Sequence, residues 1–213
     1  MAAAKPIVLY QTEQSARTRR EILAVAVDIA SAEGLEGLSI GRLAAELKMS
    51  KTGIFAHFGS KQQLQLATIE AAKEIFFRQV VEPSLDSPRG IARLNAMLNH
   101  WLGYVERIVF RGGCFFAAAS AEFDSRPGAV RDLIAELTKQ WLLAIREEVR
   151  FAQKQKRIRG SIDPEQLAFE LHAYVQEANW AFKLFDDQSA FTTARSAIAA
   201  RIASVGLSGT PRK

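Results

Sequence analysis

The chain has 213 residues, of which 48% are hydrophobic and 24% charged, and its formal net charge at pH 7 is +5. This composition is ordinary for a globular protein that buries a sizeable core. The single cysteine, Cys114, excludes an internal disulfide framework, and the apolar patch at residues 7–10 is too short for a signal segment or a membrane span. We therefore expect a cytoplasmic protein that has no membrane partner.

The first twenty residues are basic, with Lys5, Arg17, Arg19 and Arg20 against Glu13. Such an arm is compatible with a polyanionic partner, but it is equally compatible with a solvated chain end. The arm by itself does not decide between these two interpretations.

Helical periodicity extends along the chain, and strand patterns are nearly absent. The spacing of Thr18 and Glu21 predicts a capping box that opens a first helix, which ends at Gly34. Ser39 and Ser50 are predicted to cap two short helices.

Ser60 and Gln63 form a second capping-box pattern, which predicts a long fourth helix that runs to about Val81 and is stopped by Pro83. Beyond it, periodicity predicts five more helices. Their approximate ranges are residues 88–110, 113–124, 127–157, 163–186 and 189–205. The expected fold is all-α, with an N-terminal head in residues 1–65 and a helical domain in residues 66–213.

The short stretch at residues 49–61, MSKTGIFAHFGSK, mixes aromatic, basic and small polar residues. If Ile54 and Phe58 face inward, the small and polar residues of the third helix are left on the outer side. Two short helices joined by a tight turn, the second of them amphipathic, are typical of a helix-turn-helix. Small side chains allow a helix to approach base edges, and lysines suit phosphate oxygens.

The segment LSIGRLAAELKMSKTGIFAHFGSKQQL resembles the DNA-binding domain of the TetR family of transcriptional regulators, over roughly residues 17–65. The resemblance implies a helix-turn-helix head whose residues contact double-stranded DNA. The expected DNA-binding residues are Arg17, Ser39, Lys48, Lys51, Thr52, Gly53, Phe55, His57 and Lys61.

Two positions depart from the family pattern. Phe55 stands where the family usually has a tyrosine, so the hydroxyl that would contact a phosphate is missing. Lys48 stands where the turn usually has a glycine; if Lys48 adopts a positive φ, the strain is on the order of 1 kcal/mol.

Catalytic and metal sites are not expected. Residues 37–41 match the G-x-S-x-G pattern, but no strand precedes Ser39, as a nucleophile elbow would require. The histidines His57, His100 and His172 stand in different segments without an i, i+4 partner, and no phosphate-binding glycine motif occurs. We expect neither an enzyme nor a cofactor.

The middle of the chain is rich in large aromatic residues, which either pack a core or enclose an apolar ligand cavity. The resemblance favours the cavity, because members of the family commonly sense small molecules in this domain. The expected binding residues for a small apolar or amphipathic effector are His100, Trp101, Tyr104, Phe115, Phe116, Trp141 and Trp180. Glu122 and Asp124 are further candidates for polar contacts.

The last two helices are apolar on more than one face, which predicts burial on both sides and a two-fold partner. The expected interface residues are Leu171, Tyr174, Val175, Ala178, Phe182, Ala194, Ile198 and Ile202.

The predicted function is a ligand-responsive transcriptional regulator, a homodimeric repressor that binds a palindromic operator. The alternative is an all-helical module that binds a small molecule or a protein and whose basic head does not read DNA.

Overall fold

The structure, a computed structural model, describes residues 7–207 and the side chains of residues 13–207. Lys5 of the basic arm and the tail at residues 208–213 therefore lie outside the described residues. Within the described range the chain is all-α, and the only β-type pairing there is one isolated antiparallel bridge between Ile158 and Gly206. The helices are α1 (Ile7–Glu33), α2 (Ile40–Leu47), α3 (Lys51–Phe58), α4 (Lys61–Phe76), α5 (Glu82–Ser84), α6 (Ile91–Glu106), α7 (Phe115–Phe123), α8 (Ala129–Lys154), α9 (Pro164–Phe185) and α10 (Ser189–Val205).

Helices α1 to α3 and the first half of α4 form the head. Three serines cap helices α2, α3 and α4 as predicted, because each hydroxyl accepts a hydrogen bond from a backbone N–H of the first turn. Ser39 accepts from Arg42 at 3.1 Å, Ser50 from Gly53 at 3.0 Å, and Ser60 from Gln63 at 3.1 Å. The predicted caps of α2, α3 and α4 are confirmed.

The predicted start of the first helix is wrong. Thr18 lies inside α1, which already begins at Ile7. No glycine or proline occurs between Ile7 and Glu33, so nothing in the sequence interrupts the helix at Thr18. A capping-box spacing can therefore occur inside a continuous helix.

The fourth helix also ends differently from the prediction. Regular α-helix gives way at Phe77 to a π-helical segment, Phe77–Val81, in which the Glu82 N–H donates to the Phe77 carbonyl oxygen. Pro83 then lies in the first turn of α5 and does not stop the helix. The wider π turn comes immediately before the proline, whose ring would crowd the preceding turn of a regular α-helix.

Helices α6 to α10 form the body, and their bounds fall within the five predicted ranges. Helices α8, α9 and α10 pack side by side, and α6 and the second half of α4 complete the core. Among the described residues, no helix is both long and apolar enough to cross a membrane.

The head packs against the body where the loop before α7 meets the end of α1. Gly112 lies directly on the Ser31 backbone and donates its N–H to the Ser31 hydroxyl at 3.1 Å. Beside it, Arg111 forms an ion pair with Asp28 at 2.6 Å. These contacts join the two parts of the chain, and at Gly112 the two backbones approach so closely that there is no room for a side chain.

We predict that Gly112→Ala lowers the free energy of unfolding by about 1–3 kcal/mol. A Cβ at position 112 would lie 1.7 Å from the Ser31 carbonyl oxygen, so the head and the loop must separate. Urea denaturation followed by circular dichroism measures the change. Gly160→Ala is the matched control, because no atom lies within 4 Å of its added Cβ; a similar loss in both variants would contradict the prediction.

Candidate DNA-binding surface, ligand cavity and dimer surface

Helices α2 and α3 are joined by a three-residue turn in the arrangement of a helix-turn-helix. Lys48 ends α2 in the left-handed conformation, with φ of 54°, and Met49 donates its N–H to the Ala44 carbonyl oxygen at 3.1 Å. Ser50 then caps α3. Lys48 thus adopts the positive φ that a glycine would take at this position, and the turn carries the strain that a non-glycine residue bears in this conformation.

The third helix has one buried face and one exposed face. Ile54 and Phe58 are buried, as predicted, while Lys51 and Thr52 are exposed and Gly53 is half-buried. Phe55 is 51% exposed. A recognition helix with this division presents a lysine, a threonine and an aromatic ring to a groove while its apolar side holds it on the head.

The remaining predicted DNA-binding residues differ in how free their side chains are. Lys48 is exposed, and Ser39 and His57 are half-buried. Lys61 pairs with Glu36 at 2.7 Å, and Arg17 pairs with Glu21 at 2.9 Å. Their roles as DNA contacts stay predictions.

The Lys61 hydrogen bond lowers the pKa of Glu36 below its ordinary value. A phosphate that takes this lysine must therefore compete with a carboxylate already bound to it.

Arg19 is a residue that the sequence analysis did not assign to this site. It donates to the His57 carbonyl oxygen at 2.7 Å, and its guanidinium lies 4.5 Å from the centre of the Phe58 ring. Arg19 thus ties α1 to the C-terminal end of the recognition helix. Its position on α1 gave no signal of this, because the contact joins residues 38 positions apart.

The body contains a cavity of about 250 Å³ between α4, α6, α7, α8 and α9. Its lining is mainly aromatic and aliphatic, which is typical of a small-molecule site. Three of the predicted ligand-binding residues line it, namely Trp101, Phe116 and Trp141. Five further lining residues were not predicted from the sequence, namely Phe76, Phe77, Ser120, His172 and Gln176.

The other four predicted ligand residues are not part of the lining, and these assignments are corrected. Tyr104 is buried in the core, with its ring 5.6 Å from that of Phe76, and Phe115 is likewise buried. His100 is half-buried on α6 away from the lining. Trp180 is 51% exposed on the outer side of α9. Composition identified an aromatic region, but it could not separate core rings from cavity rings.

Glu122 connects the body to the head and does not line the cavity. Its carboxylate accepts hydrogen bonds from the backbone N–H groups of Leu35, at 2.6 Å, and Glu36, at 2.9 Å. Gly34 permits this approach with a φ of 86°, and an added Cβ there would lie 2.8 Å from the carboxylate. The end of α7 is therefore fixed to the loop between α1 and α2. Asp124 has a local role instead, since it accepts from Ser125.

The predicted dimer residues lie mainly inside the protomer. All of them except the half-buried Tyr174 are buried against the neighbouring helices of the same chain: Leu171, Val175, Ala178, Phe182, Ala194, Ile198 and Ile202. The assignment of these seven to a partner's surface is corrected, because α9 and α10 use this stripe to pack on each other and on the body.

A second apolar stripe on α9 faces outward. It is formed by Phe169, Ala173, Trp180 and Leu184, with Phe185 beside it and its ring 5.0 Å from the Trp180 ring. On α10 the exposed positions are small, as at Ser196, Ala199, Ala200 and Ala203. An exposed apolar patch beside a helix of small residues is typical of a protein–protein interface.

Two family models match most of the chain. Residues 22–68 match the model described as bacterial regulatory proteins, tetR family, and residues 90–198 match the tetracyclin repressor-like C-terminal domain. The chain belongs to the TetR family.

Solved structures agree with this assignment. A TetR transcriptional regulator from Chloroflexus aurantiacus is 25% identical with a TM-score of 0.84, and the alignment covers 92% of this chain and all of that one. A TetR-family regulator from Cytophaga hutchinsonii is 19% identical with a TM-score of 0.79, covering 92% and 98%. AibR, solved with isovaleryl coenzyme A and operator DNA, is 25% identical with a TM-score of 0.69, covering 86% and 96%. A comparison with curated proteins found no match.

This TetR-family protein is thus a DNA-binding transcription regulator, built from a helix-turn-helix domain and a ligand-binding domain. The resemblance that the head residues indicated is confirmed, and so is the all-α fold. Among the described residues, no group of histidine, cysteine and acidic side chains is placed to hold a metal ion.

We predict that Lys48→Gly raises the free energy of unfolding by roughly 0.5 kcal/mol and weakens DNA binding. Stability rises because glycine relieves the strain of the left-handed conformation, although the larger entropy of glycine in the unfolded chain offsets part of this gain. DNA binding weakens because the substitution removes a lysine from the turn. Lys156→Gly is the matched control, because Lys156 also has a positive φ, of 56°, but lies at the far end of α8. Urea denaturation and DNA titration check the pair; equal DNA affinity in both variants would show that Lys48 makes no contact.

Proposed function

We propose that this TetR-family regulator is a repressor that binds a palindromic operator as a homodimer and is released by a small ligand in the body cavity. The observation that carries the proposal is the course of α4. The helix begins at the recognition head, where Ser60 caps it, and its last turns and the following π segment line the cavity through Phe76, Phe77 and Val81. A change in the cavity therefore acts on an element whose other end positions the head.

The division of the chain into residues 1–65 and 66–213 is part of this proposal. Helix α4 crosses that division without a break, so the two domains share one rigid element. Its buried residues Leu64 and Gln65 fix its N-terminal half within the head, where Gln65 donates to the Leu35 carbonyl oxygen at 3.0 Å, and Phe76 fixes its other end among the aromatic rings of the body.

A second connection supports the same mechanism. Helix α7 contributes Phe116 and Ser120 to the cavity, and two residues after Ser120, Glu122 accepts the backbone hydrogen bonds of the loop between α1 and α2. A ligand that displaces α7 would move this carboxylate and loosen the head. The ligand shifts the equilibrium only if it binds the released form more tightly than the DNA-binding form.

The AibR structure supports the pairing of a ligand with operator DNA within this fold, at 25% identity to this chain. The recognition surface supports binding at a specific DNA site, because Thr52 and Phe55 stand exposed on α3 beside Lys51. In a two-fold dimer the two recognition helices would enter successive major grooves, about 34–36 Å apart.

Fluorescence anisotropy tests the DNA part of the proposal, using DNA from upstream of the protein's own gene and a scrambled duplex over a salt series. We expect tight binding to the native duplex that falls steeply with salt. Thr52→Ala should lose about 1–3 kcal/mol on the native sequence alone, whereas Lys51→Ala should weaken both duplexes and reduce the salt slope by about one. Binding without sequence preference would instead favour the alternative in which the basic head docks on another partner.

We predict that Glu122→Ala lowers the free energy of unfolding by about 1–3 kcal/mol and weakens operator binding. The change leaves the N–H groups of Leu35 and Glu36 without their acceptor, so the orientation of the head is less fixed. Asp124→Ala is the control, because it removes a carboxylate two residues further along the chain that does not touch the head. The control should change the free energy of unfolding by less than about 0.5 kcal/mol. Operator affinity equal to wild type in Glu122→Ala would exclude α7 as a connection to the head.

The dimer is proposed to form through the outward stripe of α9 and the small residues of α10. Large rings on one helix and small residues on its neighbour allow the paired helices of two copies to approach closely around a two-fold axis. Trp180 is the expected anchor, since exposed tryptophans dominate binding energies when a partner covers them.

We predict that Trp180→Glu weakens the dimer at least thirtyfold, roughly the effect of losing an interface anchor. Sedimentation equilibrium measures the dissociation constant. Leu143→Glu is the control, because Leu143 is an exposed apolar residue on another helix, α8, which is not part of the proposed interface. Loss of the dimer in the control, or a stable dimer of Trp180→Glu, would contradict this interface.

A further inference from the structure

We propose that the effector is a neutral aromatic molecule of one or two rings that carries a hydrogen-bond acceptor, such as a ketone or ester carbonyl, which binds the indole N–H groups of Trp101 and Trp141. This inference rests on the proposed function, since it takes the body cavity as the effector site. It adds the chemical class of the ligand, and it is argued from the size, the donors and the charges of the cavity lining.

The size of the cavity limits the ligand. Its volume of about 250 Å³ is the space of roughly eight liquid water molecules. Cavities that hold drug-sized ligands are usually about 300–1,000 Å³, so a smaller compound fits here. A long acyl chain or a nucleotide-bearing thioester is too large for this space unless the lining moves.

The lining favours aromatic rings. Phe76, Phe116, Trp101 and Trp141 meet at angles near 80–90°, with the Phe76 ring 5.0 Å from Trp141 and 6.2 Å from Trp101. Leu137 and Val81 add aliphatic surface. A flat ligand that enters such a cluster extends the edge-to-face contacts that the side chains already form.

Two buried donors in this lining have no oxygen or nitrogen acceptor. Neither the Trp101 Nε1–H nor the Trp141 Nε1–H forms a hydrogen bond with a carbonyl, hydroxyl, carboxylate or imidazole group of the described residues. Trp101 is only 2% exposed, and the two indole rings lie 5.5 Å apart. The Trp101 indole N–H does face the Cys114 sulfur and bonds to it, but sulfur is a weak acceptor that a ligand oxygen can replace. An indole can only donate, so a ligand satisfies these groups by supplying an acceptor.

The charges near the cavity favour a neutral ligand. Lys73 is paired with Glu70, and Glu74, of opposite sign, borders the same cavity. Burial lowers the pKa of His172 below its ordinary value, so its imidazole is neutral at pH 7. An anion would find no unpaired positive charge here, and a cation would leave both indole donors without an acceptor.

The test compares probes of one shape by isothermal titration calorimetry. The first probe is methyl naphthyl ketone, and the second is isopropenylnaphthalene, in which a methylene group replaces the carbonyl oxygen. Naphthoate and trimethylnaphthylammonium supply the anionic and cationic members of the set. We expect the ketone to bind about tenfold more tightly than the hydrocarbon, because only the ketone pairs with the indole donors.

Two variants locate the contact. Trp101→Phe and Trp141→Phe keep an aromatic ring but remove one N–H each. Each variant should weaken ketone binding about threefold to tenfold and leave the hydrocarbon within about twofold of wild type. The hydrocarbon is thus the internal control for packing. If one variant fails to fold, the other variant and the comparison of ketone with hydrocarbon on the wild-type protein still test the contact.

Three outcomes would overturn the inference: equal binding of ketone and hydrocarbon, tightest binding of the anion or the cation, or no binding of any probe. The tightest binding of the cation would indicate a cation–π site instead. Anisotropy on operator DNA separates this inference from the proposed function. Ketone binding without any effect on DNA would leave the ligand class intact and refute ligand control, whereas operator binding without any probe binding would refute only the ligand class.

Discussion

The structure depends on one constraint: α4 belongs to the cores of both domains. Leu64 and Gln65 are buried within the head, and Phe76 contacts four aromatic rings in the body. A helix held tightly at both ends transmits a displacement at one end to the other, because a close-packed interior does not absorb it. The Glu122 carboxylate adds a second link to the head, through the backbone N–H groups of Leu35 and Glu36. The recognition helix is thus oriented by two elements that both lead to the cavity.

Local chemistry made the head predictable from its sequence. Ser39, Ser50 and Ser60 each begin a helix because a hydroxyl at that position satisfies a free N–H, and this is decided within four residues of chain. The inward faces of Ile54 and Phe58 follow from helical spacing alone. The predicted cap at Thr18 was wrong because that prediction also used only local sequence. The Thr18 pattern does not reveal that the residues before it are already helical.

The body could be predicted as helices but not as surfaces. Periodicity finds an apolar stripe on α9, yet it cannot tell which of two stripes packs inside the protomer. Leu171 and Val175 are buried, whereas Phe169 and Trp180 are exposed, and only the positions of α8 and α10 decide this. The cavity poses the same difficulty, because Tyr104 and Trp101 lie one turn apart on α6 but only Trp101 borders the open space. Contacts between residues distant in sequence, such as that of Arg19 with His57, left no local signal.

The π segment at Phe77–Val81 has a consequence for chain length. In an α-helix each residue turns the chain by about 100°, so an added residue would rotate everything beyond it. A π turn takes up one additional residue while the flanking turns keep their mutual phase. A chain one residue shorter at this point could therefore keep α4 and α5 in phase as one regular α-helix. The segment marks the place between α4 and α5 where insertion and deletion leave the turns on either side in phase.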